Sequence, residues 1–152
     1  MVSNGQQVAA LPFRRRKNGK IKVLLVTSRR RRRWVLPKGW PMEGKAPWEA
    51  AEIEALEEAG VRGRILSEAM GHFSYEKRLE EGGVLPCEVV IYPLVVDRVE
   101  RRWKEKPQRQ RRWFSPEEAA RLVEEQGLAD LLDQLQARPV RAPILKSLLK
   151  VA

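Results

Sequence analysis

The stretch from Gly39 to Val61, GWPMEGKAPWEAAEIEALEEAGV, decides how this chain is read. Residues 38–46, with two glycines and a proline among them, predict a loop. The alanine- and glutamate-rich run that follows predicts a helix over 47–59, with Pro47 suited to its first turn and Gly60 as its stop. At about 100° per residue, Glu57 and Glu58 fall roughly 300° and 40° around the helix from Glu54. Three carboxylates therefore share about a 100° arc, where like charges repel. A divalent cation reverses that penalty, and oxygen-rich ligands suit Mg²⁺ or Mn²⁺. A solvated acidic helix face carries the same pattern, and spacing alone does not choose between the two.

Upstream of this stretch, residues 7–13 read as a strand and Lys17–Lys20 as a turn. Residues 21–27 (IKVLLVT) form an apolar strand fit for the middle of a sheet. Arg29–Arg33 makes the next turn, and Trp34-Val35-Leu36 resumes extended structure before Pro37. Downstream, residues 63–79 and 84–98 read as two long strands joined by a turn at 80–83, and residues 110–114 as a short strand. Ser115-Pro116-Glu117-Glu118 has the pattern of a capping box and opens a helix over 116–125. Further helix is expected over 128–136 and 140–150. Strands on both sides of an internal helix, followed by helices, imply a layered α/β domain, and the 152 residues fit one such domain.

The composition, 43% hydrophobic and 33% charged, is that of a globular protein, and no apolar run approaches the roughly 18–20 residues that span a bilayer. The opening MVSNGQQVAA has neither a basic segment nor a long apolar one, so a cytoplasmic location without a secretory signal is the expectation. Cys87 is the only cysteine, which excludes an internal disulfide and a cysteine-rich metal cluster. The net charge of +10, with arginines grouped at 14–16, 29–33, 101–102 and 109–112, points to an anionic partner. Nucleic acid, an acidic membrane surface and a phosphate-rich small molecule all fit that charge.

The segment 39–61 resembles the Nudix box, G-x5-E-x7-R-E-U-x-E-E-x-G-U, where U is aliphatic. Gly39, Glu54, Ala55, Glu57, Glu58, Gly60 and Val61 match in register without a gap. The flanks LVTSRRRRRWVLP (25–37) and RWFS (112–115) are similar to the diphosphoinositol and diadenosine polyphosphate hydrolase branch. The resemblance implies an α/β/α sandwich around a mixed β-sheet, with the box as a loop–helix–loop. It implies metal binding by Glu54 and Glu58, helped by a backbone carbonyl near Lys38 or Gly39, with Glu57 as general base or a further ligand. The implied reaction is attack of water on phosphorus, with Mg²⁺ (or Mn²⁺) neutralising the phosphate oxygens.

Two positions depart from the pattern: Lys45 stands where it has glutamate and Ile53 where it has arginine. Ile53 precedes Glu57 by four residues, so an arginine there would fix that carboxylate. Loss of both members together reads as a replaced pair that leaves no orphaned charge. Arg29, Arg31 and Arg33, on the turn leading to the box, and Lys38 beside it are candidate phosphate contacts; solvated positions are the bland alternative. His72 reads as structural, Phe73, Tyr75 and the tryptophans at 34, 103 and 113 as core or rim, and Cys87 as a small buried apolar residue.

The leading functional expectation is hydrolysis of a phosphate-rich small molecule: a dinucleoside polyphosphate, a diphosphoinositol polyphosphate or a nucleotide. The alternatives are RNA 5′-end pyrophosphohydrolysis, with arginines tracking the backbone, and a non-catalytic sensor of nucleotide or RNA. The retained glutamates weigh against the sensor, because binding alone needs no base.

Overall fold

The structure of the protein, a computed structural model, describes residues 5–136. Eight strands form one mixed sheet: β1 (Gly5–Arg15), β2 (Ile21–Thr27), β3 (Trp34–Val35), β4 (Lys38–Gly39), β5 (Val61–Ile65), β6 (Gly71–Arg78), β7 (Val84–Val99) and β8 (Arg111–Phe114). Strand β1 is its hub. Along one edge it runs parallel to β7, from Gly5 opposite Cys87 to Phe13 opposite Val95. Its other edge is shared, with β4 antiparallel at Val8 and Ala9 and β2 antiparallel at Phe13–Arg15. Strands β3 and β8 pair with β2, and β5 and β6 divide the free edge of β7.

Period-two alternation sends successive side chains to opposite faces. Ala9, Leu11, Phe13, Val23, Leu25, Val89 and Ile91 face one way, and α2 (Pro116–Leu122) and α3 (Gln126–Gln136) cover them with Ala119, Val123, Leu128, Leu132 and Leu135. Val8, Ala10, Leu24, Val26, Tyr92, Leu94 and Val96 face the other way, under α1 (Pro47–Glu54) and its continuation. The layers are therefore helix, sheet, helix, the expected α/β/α sandwich. Among the described residues no helix is long and apolar enough to cross a membrane.

Several boundaries differ from the sequence expectation, beginning with β1, which extends two residues beyond 7–13 at each end. The strand expected over 63–79 is two strands, because the break falls opposite Pro93, which has no N–H for the ladder. Leu66 and Met70 still donate to the Pro93 and Ile91 carbonyls of β7, while Ser67–Ala69 loop out between them. The helix expected to 125 stops at Leu122, where Val123 turns extended (φ −79°, ψ 146°) and buries its side chain in the core; the next helix starts two residues earlier than expected. The helix over 47–59 forms, but its last five residues, Ala55–Ala59, are π-helical. The expected loop 38–46 includes β4. The Ser115 capping box is present in both directions: the Ser115 hydroxyl accepts from the Glu118 amide and the Glu118 carboxylate from the Ser115 amide. The helix expected over 140–150 lies outside the described residues.

Candidate active site

Alanine brings the acidic helix down onto the sheet. Ala50, Ala51, Ala55 and Ala59 are completely buried, so the opposite side of the same turns, with Glu54, Glu57 and Glu58, faces the β4 loop and the chain between β7 and β8. The helix ends at Gly60, whose φ of 65° favours glycine, and a Cβ there would lie 2.7 Å from the Arg111 guanidinium.

A helix end leaves carbonyls without partners. Here the segment 100–111 supplies donors to four in succession. The Glu105 amide donates to the Glu57 carbonyl (3.0 Å), the Trp103 indole to Glu58 (3.0 Å), Arg111 Nη1 to Ala59 (2.9 Å), and the Glu100 amide to Gly60 (2.7 Å). Arg111 also lies over the Trp103 ring, 3.9 Å from its centroid. This segment is thus a bracket that fixes the turn bearing the carboxylates.

The three carboxylates do not stay together. Glu54 and Glu58 meet, their carboxyls hydrogen-bonded to each other. Glu54 packs flat on Gly39: a Cβ at that position would come within 2.5 Å of its carboxyl. Glu58 is buried, with Oε1 accepting from the Lys38 amide at 3.2 Å and Oε2 3.6 Å from Arg109 Nη2. Burial, with the hydrogen bond to Glu54 next, pushes the Glu58 carboxyl up to about 8 against the pull of Arg109, and burial likewise raises Glu54. Glu57 diverges, its carboxylate 3.4 Å from Lys104 Nζ at the surface.

Among the described residues no three His, Cys, Asp or Glu side chains converge on one point. Two convergent carboxylates nevertheless fit a divalent cation, since Mg²⁺ keeps several waters and takes only one or two carboxylates from a protein. A cation displaces the proton that such a pair otherwise holds, and the glycine leaves the Glu54 carboxyl the room it occupies.

The other expected contacts sit on one side of this pair. Burial lowers the Lys38 ammonium from its usual range, against attraction by Glu125 and Glu58, and the ammonium is 5.0 Å from the Tyr75 ring centroid. Tyr75 donates to the buried Gln7 side chain (2.6 Å). Arg33 pairs with Glu124 (3.0 Å) and Glu125 (3.5 Å), and Arg31 reaches Glu124 at 3.9 Å. Arg33 Nε and Glu125 Oε2 are buried and have no hydrogen-bond partner among the described residues. Arg29 is exposed at the turn. Lys45 is exposed and makes no ion pair among the described residues, and Ile53 is half-buried. His72 is exposed, its Nδ1 2.6 Å from Glu88, while Phe73 and Cys87 are buried as expected.

Sequence reading placed Arg109 in a basic cluster aimed at an anionic partner and missed the bracket, in which it meets Glu58, as well as the acidic partners Glu124 and Glu125. One signal was present: between Ala46 and Gly60 the chain has five glutamates and no basic residue, so any counter-charge had to come from elsewhere.

Residues 5–135 match the family model of the NUDIX domain. The chain is 33% identical over 132 residues to Nudix hydrolase 21, chloroplastic, of Arabidopsis thaliana, covering 84% of this chain and 64% of that protein. It is 28% identical over 121 residues to diphosphoinositol polyphosphate phosphohydrolase 3-beta of Bos taurus, covering 78% of this chain and 69% of that one. The crystal structure of the C. elegans Ap4A hydrolase superposes with a TM-score of 0.61 at 20% identity, covering 86% of this chain and 95% of that one. The chain spans about three fifths of the length of the first curated relatives it matches, 64%, 58% and 63% of them.

Proposed function

Because this chain belongs to the Nudix hydrolase family, we propose that it hydrolyses a phosphoanhydride bond in a substrate bearing a polyphosphate chain, with Mg²⁺, or Mn²⁺ in its place, at the Glu54–Glu58 pair. The observation that carries this reading is that pair, Glu58 buried and tied to the Lys38 amide, Glu54 half-buried beside it with its carboxyl packed on Gly39. Glu54 and Glu58 would hold the metal with a backbone carbonyl near Lys38 or Gly39, and the metal would neutralise charge on phosphate oxygens and lower the pKa of bound water.

Glu57 is the general base. Its side chain is 30% exposed against 9% for Glu58, so it alone of those two reaches bulk water, and its Lys104 partner is a surface lysine, 69% exposed, that can swing away. Lys38 connects the pair to the basic turn: it is attracted by Glu58 on one side and Glu125 on the other, and Arg33 lies against Glu125. A phosphate chain with one end at the carboxylates would pass Lys38 and Tyr75 toward Arg33, Arg31 and Arg29, where guanidinium groups suit phosphate. Relatives named for diphosphoinositol polyphosphate and Ap4A support the polyphosphate class.

The test is phosphate release from ATP, diadenosine polyphosphates, ADP-ribose and 5′-triphosphorylated RNA, with Mg²⁺ and with EDTA. Turnover of the diadenosine polyphosphates in Mg²⁺ and its loss in EDTA are expected, together with a drop of about 10²–10⁴ in Glu57→Gln. Glu54→Gln and Glu58→Gln should weaken metal affinity. Full activity of all three variants in EDTA removes the mechanism, and preference for the RNA moves the enzyme to another substrate class.

A further inference from the structure

The acidic helix carries Glu49, Glu52, Glu54, Glu57 and Glu58 and no lysine, arginine or histidine. Neither its α-helical part nor its π-helical turn has a base in its last turn, where the helix dipole favours a cation. The cations that meet the carboxylates of its last turn come from the bracket. Lys104 meets Glu57 at the surface, whereas Arg109 meets Glu58 inside, with both side chains under a tenth exposed.

Arg109 is held independently of Glu58. Its Nε donates to Glu105 Oε1 at 2.8 Å and its Nη1 to the Thr27 carbonyl at 3.0 Å, at the end of β2. Those two anchors leave Nη2 directed at Glu58 Oε2 across 3.6 Å, beyond an ordinary hydrogen bond. The contact attracts the oxygen without occupying it. The other oxygen, Oε1, is tied to the Lys38 amide.

We propose that Arg109 is the positioning residue of the metal site: anchored on Glu105 and the Thr27 carbonyl, it fixes the direction of the Glu58 carboxylate from outside the helix. The assignment rests on the reading of Glu54 and Glu58 as metal ligands. Only arginine meets the geometry, because a planar fork reaches three acceptors at once while an ammonium has a single nitrogen. A direct role in gripping substrate is the poorer fit, since the side chain is 8% exposed and faces three protein acceptors. Partners that orient a ligand in this way typically influence metal affinity or activity by about 10–100-fold.

The experiment compares Arg109→Met, Arg109→Lys and Glu105→Gln with the unaltered protein. Mn²⁺ binding is titrated by electron paramagnetic resonance without substrate, kcat and KM are measured with a diadenosine polyphosphate at saturating Mg²⁺, and folding is followed by circular dichroism. Arg109→Met is expected to weaken Mn²⁺ binding and lower kcat by about 10–100-fold, with KM within about threefold. Arg109→Lys should recover part of both. Glu105→Gln, which leaves every cation and proposed ligand in place, should show the same signature at smaller amplitude, and it carries the test with Arg109→Lys if the methionine variant does not fold. Unaltered Mn²⁺ binding, a change in KM alone, or a loss of melting temperature with unaltered kcat per folded molecule would each overturn the assignment. Glu58→Gln separates the two levels. If it abolishes Mn²⁺ binding while the Arg109 variants leave it unaltered, only the role of Arg109 falls; if it too binds Mn²⁺ normally, the metal-ligand reading falls as well.

Discussion

The two faces of the sheet are covered by helices held in different ways. On the α2–α3 face, Val123, Leu128, Leu132 and Leu135 interdigitate with Phe13, Phe73 and Phe114. On the α1 face the helix's fully buried apolar residues are all alanine, at 50, 51, 55 and 59, with Trp48 half-buried edge-on to Tyr92 beside them. Apolar stabilisation grows with the area removed from water, so an alanine layer contributes far less than a leucine layer. What the alanines give instead is close approach, and the grip comes from the bracket, with its run of donors to the Glu57, Glu58, Ala59 and Gly60 carbonyls. One face stores stability. The other spends directional hydrogen bonds to hold charges that would repel.

That contrast can be broken by substitution on each side. The largest expected effect is on the α1 face: Glu57→Gln lowers turnover by about 10²–10⁴ with little change in melting temperature. Its counterpart on the other face, Leu132→Ala, should cost about 2–5 kcal/mol in urea unfolding while kcat per folded molecule stays near that of the unaltered protein. A Leu132→Ala enzyme that folds and yet loses turnover as Glu57→Gln does would show that the faces are not separable.

A smaller effect concerns pH. The Glu58 carboxyl is raised from 4.5 to about 8 in the folded protein, chiefly by burial, and Glu54 is raised too. A raised carboxyl contributes stability that is complete below its unfolded value and lost as pH climbs through the folded one. In EDTA the melting temperature should therefore fall between pH 4.5 and about 8. Glu58→Gln should flatten this fall, and Mg²⁺ should restore stability most at the alkaline end. A metal-free melting temperature that rises over that window would place the penalty elsewhere. The smallest effect belongs to the basic turn. Replacing Arg29, Arg31 and Arg33 by serine should raise KM for a diadenosine penta- or hexaphosphate by several-fold more than for ADP-ribose, and the difference should shrink with salt, which screens over about 8–10 Å. Equal effects on all substrates would make the turn a brace for Glu124 and Glu125 rather than a phosphate contact.

Local chemistry made much of this legible. Pro47 and Gly60 bounded the acidic helix, Ser115 and Glu118 capped the next, and the nearly continuous apolar runs of β1 and β2 marked strands of the sheet's interior. The misses are cases where a partner far along the chain decides. Pro93 splits the strand paired opposite it, and the core draws in Val123 and ends α2. The assumed 100° spacing holds only for an α-helix, and Glu57 and Glu58 stand in the π-helical turn Ala55–Ala59, where Glu57 meets Lys104 instead of joining the pair. Arg109 lies 51 residues beyond Glu58, and no local pattern marks this arginine as one that will be buried against it.

The position of β1 has a consequence for synthesis. Its parallel partner, β7, reaches Val95 only after more than eighty further residues have been joined, and parallel strands cannot close as a hairpin. At roughly 5–20 residues per second, the first strand waits about 4–16 s on the ribosome with its apolar run Ala9-Ala10-Leu11-Pro12-Phe13 unmatched along that edge. Antiparallel pairing to β2 and β4 can protect the opposite edge early, since both follow within a few tens of residues. The nascent chain is thus most open to mispairing in the interval before β7 emerges, and a chaperone that shields a bare strand edge would act there.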